Sequence, residues 1–102
     1  MSTDDNSQWW LAALGRTVIW ARLRVLDAGT AEVFDSDGNT LPYDSEDSAR
    51  AALMDAEFTA LDGMDEDDAD ARDFTLSELV PPQADDDGQL RERMVQKLPP
   101  RR

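Results

Sequence analysis

The sequence predicts an α+β domain: a three-stranded antiparallel meander packed against one main helix, with short helical turns at its periphery. Three observations carry this. Residues 17–43 alternate apolar and polar with period two and are broken twice by glycine turns. Residues 45–61 then change to helical spacing. The whole chain has 102 residues, of which 40% are hydrophobic, which suits one modest core.

The elements follow in order. Residues 1–8 are polar and acidic and read as a flexible N-terminal tail. Trp9-Trp10-Leu11-Ala12-Ala13-Leu14 is an apolar block closed by Gly15, expected to form one or two helical turns. Thr17–Leu26 reads as the first strand, with Ile19, Ala21, Leu23 and Val25 on one face and Val18, Trp20, Arg22, Arg24 and Leu26 on the other. Asp27-Ala28-Gly29 is a turn, and Thr30–Asp35 is the second strand. Asp37-Gly38 reads as a two-residue hairpin loop. It leads into Asn39–Tyr43, where Pro42 lacks a ladder donor and demands an edge.

These loops fix a register. A three-residue loop at 27–29 sets Arg24 opposite Glu32 and Arg22 opposite Phe34. A two-residue loop at 37–38 sets Phe34 opposite Leu41 and Glu32 opposite Tyr43. Trp20 and Phe34 then share a packed face.

The main helix is expected over Ser45–Leu61. Asp44 or Ser45 caps it, Glu46 and Asp47 suit its positive end, and a stripe of Ala49, Ala52, Leu53, Ala56 and Ala60 faces the sheet, with Gly63 as the stop. After an acidic stretch, Phe74–Val80 returns to apolar chemistry. The domain is expected to span residues 9–82. Residues 83–102 form an acidic linker and a basic C-terminal segment, in which Leu90, Met94 and Leu98 suggest a short helix.

The composition narrows the chemistry. There is no cysteine and no histidine, which removes disulfides, thiolate catalysis, the common zinc frameworks and the usual neutral-pH base. No nucleophile–base pair and no glycine-rich phosphate cradle is present. The reading is therefore non-enzymatic, with no cofactor. Asp35, Asp37, Asn39 and Glu46 occupy the first, third, fifth and twelfth places of a calcium loop. The sixth place, where such a loop needs glycine, holds Thr40, so a hairpin is expected and no metal site is assigned. No apolar run approaches the roughly 20 residues that span a bilayer. With a polar start, the expected compartment is the cytoplasm.

Charge is the strongest functional signal. The net charge is −13. Between Asp27 and Asp87 stand 20 acidic residues against Arg50 and Arg72, a net of −18, whereas Leu90–Arg102 carries +4. Such a middle repels nucleic acid and anionic membrane and attracts a basic protein surface. Candidate partner-binding residues are Glu32, Asp47, Asp55, Asp62, Asp65, Glu66, Asp67 and Asp68, read as one continuous negative face. Trp9 and Trp10 are aromatic anchors, at least one of them partly exposed.

The leading expectation is a small acidic interaction protein that regulates or inhibits a basic partner. One alternative is a nucleic-acid mimic of the anti-restriction or anti-CRISPR type, blocking a DNA- or RNA-binding protein. Another is a structural module whose acidity serves only solubility. A loose divalent-cation binder at Asp62–Asp73 is the weakest. The sequence sets no oligomeric state.

Overall fold

The computed structural model describes residues 7–72 and 74–99. They form a small α+β domain with a six-stranded antiparallel sheet and three helices. The strands are β1 (Ser7–Leu14), β2 (Thr17–Val25), β3 (Ala31–Phe34), β4 (Thr40–Tyr43), β5 (Thr59–Ala60) and β6 (Val95–Lys97). The helices are α1 (Glu46–Asp55), α2 (Glu66–Ala71) and α3 (Asp87–Arg93), with a 3-10 turn at Leu76–Glu78.

The order across the sheet is β4-β3-β2-β1-β5. The nine-residue β2 is its spine. One edge of β2 pairs with β1 over Thr17–Arg24. The other pairs with β3 over Arg22–Val25 and with β6 over Thr17–Ile19.

The expected meander is present as β2-β3-β4, and β4, which carries Pro42, lies at the edge. The first hairpin has the expected register, Arg24 opposite Glu32 and Arg22 opposite Phe34. The second is shifted by one: Phe34 faces Thr40 and Glu32 faces Pro42. Its loop has three residues, not two. The Asp35 amide donates to the Asn39 carbonyl at 3.0 Å, and Gly38 takes φ +88° at the last loop position. The Asp35 carboxylate accepts from the amides of Asp37 and Asn39, which favours this longer loop.

The block at 9–14 is a strand, not helical turns. It forms a hairpin with β2 through Gly15-Arg16, where Gly15 supplies the positive φ of 62°. Trp10 and Leu11 point to opposite faces, and both are buried. Ser7 and Gln8, expected in the tail, belong to β1. The rest of that tail, and Pro100–Arg102, lie outside the described residues.

Each face of the sheet carries its own core. On one, Trp10, Ala21, Leu23, Ala31 and Val33 meet Ala49 and Leu53 of α1. Ser45 caps this helix by accepting from the Ser48 amide. The helix ends at Asp55, six residues before the expected Leu61. There Glu57 adopts φ +68°, and the Phe58 amide donates to the Leu53 carbonyl, closing the helix end. The chain is thus freed to add β5 beside β1.

On the opposite face, Leu11, Val18, Trp20 and Phe34 are covered by the C-terminal half, through Met64, Ala69, Phe74, Leu79, Leu90 and Met94. Leu90 and Met94 lie in the segment read as outside the domain, yet both are buried. The Trp20 amide donates to the Met94 carbonyl at 2.7 Å, and the Trp20 indole donates to Gln96 at 3.0 Å. The chain therefore packs against the sheet well beyond residue 82. Among the described residues, no helix is long and apolar enough to cross a membrane.

Candidate functional site

The acidic stretch is ordered by its own carboxylates. Gly63 turns the chain at φ +87°, and Asp65 then starts α2. The Asp65 carboxylate accepts from the Asp68 amide at 2.9 Å, and the Asp68 carboxylate accepts from the Asp65 amide at 3.4 Å. This reciprocal cap satisfies two donors that a helix start leaves open. Three acids in the first turn also suit the positive end of the helix dipole. Ala69 is buried and anchors the turn to the core. Glu66 reaches out of the helix and accepts from the Leu76 amide at 3.1 Å. Asp62 and Asp67 make no hydrogen bond or ion pair with the described residues, and both are exposed.

Asp62 and Asp68 come together where the end of α1, β5 and the start of α2 meet. A cleft of about 370 Å³ opens there. Met54 and Phe58 give it apolar walls, Asp62 and Asp68 bring carboxylates, and Arg50 lies over the Trp10 ring at 5.1 Å. Asp55 sits beside Met54 at the same end of α1.

Not every candidate joins this corner. Asp47 lies at the other end of α1, about 12 Å along the axis from Asp55 at 1.5 Å per residue. Glu32 is on the opposite face of the sheet, 3.5 Å from Arg24. Of the candidate acids, Asp62 and Asp68 line this cleft, Asp65, Glu66 and Asp67 stand beside Asp68 at the start of α2, and Glu32 and Asp47 stand apart. Trp10 is 1% exposed and belongs to the core. Trp9 is half-buried, its ring edge-to-face with Trp20 at 6.0 Å. The cleft residues Met54 and Phe58 were not among the sequence candidates. Met54 lies off the alanine stripe of α1, and that position was the available signal.

Four other acids serve local structure. Asp35 holds its loop and Asp86 caps α3. Glu46 accepts from the Gln8 side chain at 2.6 Å, so it turns toward β1 rather than toward Asp35. Among the described residues, no group of three or more acids is arranged to hold a metal ion. The Glu78 carboxyl is held below the ordinary glutamate range, first by the Thr75 amide and then by Arg16 at 2.7 Å. No protein-family model, curated protein or solved structure matches this chain.

Proposed function

We propose that this chain is a non-enzymatic interaction protein that regulates or inhibits a basic protein partner, gripping it at the corner between α1, β5 and α2. The observation that carries the reading is the cleft itself: apolar walls from Met54 and Phe58 beside the carboxylates of Asp62 and Asp68. A lysine or arginine side chain has this composition in reverse, an aliphatic stem with a cationic head. The tethered Asp65 and Glu66 and the exposed Asp67 add a field that steers such a partner toward the cleft.

The test is affinity capture from the source cell with wild type and with Asp65, Asp67 and Asp68 all changed to Asn. Asparagine keeps an acceptor oxygen at both capping positions, so charge is removed while α2 remains. A specific partner should elute at moderate salt from wild type and be lost from the variant. A partner that binds the variant equally well, and survives high salt, refutes the reading.

The tethering of Asp65, Glu66 and Asp68 favours a second reading, a nucleic-acid mimic, since imitation of phosphates needs ordered carboxylates. Competition distinguishes the two. Duplex DNA or RNA should displace the chain from its partner if the mimic reading holds, and should leave it bound otherwise.

A further inference from the structure

A groove of the opposite character lies on the other face of the sheet. Its volume is about 570 Å³, within the range of small-molecule sites. Two rows of cross-strand neighbours supply residues to it. Trp9 stands opposite Arg22, and Ser7 opposite Arg24, along the β1–β2 pairing. Arg22 and Arg24 are two residues apart on one strand, so their side chains leave the same face about 7 Å apart. Pro81, Pro82, Ala84 and Leu90 add apolar surface. In a chain of net charge −13, two guanidiniums thus share one partly apolar groove.

Arg22 is held in place, and both arginines are poorly paired. Arg22 is 12% exposed and lies over the Phe34 ring at 5.2 Å, so stacking fixes it. Its Nε is buried without a hydrogen-bond partner. Its one ion pair among the described residues, to Asp87, spans 3.4 Å, and Asp87 is 60% exposed. Among the described residues, Arg24 has only Glu32, at 3.5 Å. A charge-assisted pair at full strength closes to roughly 2.7–2.9 Å, and a guanidinium has five N–H donors. Donor capacity therefore remains on both arginines, beside the indole and proline surfaces of the groove.

We infer that this groove binds a small monocarboxylate with an apolar body, its carboxylate taken by Arg22 and Arg24 and its body lying against Trp9, Pro81 and Pro82. Asp87 and Glu32 act as weak internal competitors for the two arginines.

Phenylacetate is the probe, and phenylacetamide, of the same shape without the charge, is its control. The readout is the shift of the Trp9 indole and arginine Nε–H resonances on titration of the full chain. Saturable shifts confined to these groups are expected with phenylacetate at millimolar affinity or tighter. Phenylacetamide should bind at least tenfold more weakly, since a hydrogen bond to a charged group is worth about that factor or more. Arg24→Gln, a half-exposed position whose change spares the core, should cost a similar factor. Asp87→Asn removes a competitor and should tighten binding, an effect that a purely structural role for Arg22 would not produce. Absence of saturation in wild type, equal binding of the amide, or indifference to both substitutions would each overturn the inference. None of these outcomes bears on the acidic corner, whose cleft is lined by other residues.

Discussion

Met94→Ala tests whether the C-terminal segment is part of the core. Met94 is fully buried beside Val18, Trp20 and Phe74. Truncation to alanine removes three heavy atoms and leaves a cavity that the strands around it can only partly close. Changes of this kind cost roughly 2–5 kcal/mol, a large share of the ~5–15 kcal/mol that holds a domain together. The backbone bond from the Trp20 amide to the Met94 carbonyl is untouched, so the loss reports packing alone. Urea unfolding followed by tryptophan fluorescence is the assay. With a slope of about 1–3 kcal/mol per molar urea, the midpoint should fall by roughly 1 M or more. Val95→Ala, at the next position and exposed, is the control and should stay within about 0.5 kcal/mol of wild type. If the two variants unfold together, the C-terminal segment does not contribute to the core as its burial requires.

Three further outcomes follow from local geometry. Glu57 holds a left-handed conformation that costs a non-glycine residue about 1–2 kcal/mol, so Glu57→Gly should raise stability by an amount of that order, less the entropy that glycine adds to the unfolded chain, and so raise the urea midpoint. Asp65→Ala should destabilise by about 1 kcal/mol through loss of the cap, while Asp65→Asn should change stability by far less, as measured by thermal melting. Glu78 has a depressed native pKa, so its contribution is complete above the unfolded glutamate value of about 4.3 and is lost as pH falls through the lower native value. Glu78→Gln should therefore reduce stability at neutral pH and flatten its decline in acid, which a series of urea melts across that range will detect.

How much of this was legible depended on which sheet face a residue served. Ala21–Val25 and Ala31–Val33 alternate cleanly, and the turn at 27–29 set their register, so these parts of β2 and β3 could be aligned residue by residue. The Trp9–Leu14 block could not, because its neighbours Trp10 and Leu11 are buried on opposite faces. A strand covered on both sides reads as a continuous apolar run, which periodicity does not distinguish from a buried helix. The same second core explains the C-terminus. The spacing of Leu90 and Met94 was visible, but nothing in the sequence tied it to Val18 and Trp20. The early end of α1 was hidden for another reason: residue 57 is a glutamate, where a helix stop of this kind normally announces itself with glycine. Within the acidic corner, the sequence supplied the carboxylates but not their division between α2 and the two sides of the sheet. Glu32 is two residues from Phe34 and so shares its face, away from α1.

The placement of the bases decides what the acids can do. Arg16 binds Glu78 and the Pro99 carbonyl and lies over Phe74 at 4.7 Å. Arg50 reaches Gln8 and covers Trp10, Arg72 is held by the Asp68 carbonyl and Thr59, and Arg93 by the Gln83 carbonyl. These cations are fixed to carbonyls, hydroxyls and aromatic rings as well as to acids, so much of the acidic charge is left without a formal partner. Salt then acts differently on binding and on folding. At physiological ionic strength the screening length is about 8 Å, short enough to weaken the reach of exposed carboxylates toward a partner. Half-buried arginines in contact with rings and carbonyls are screened much less. A salt titration should accordingly lower the association rate at the acidic corner well before it lowers the unfolding midpoint, and the separation between those two curves measures how far the acidity serves recognition rather than stability.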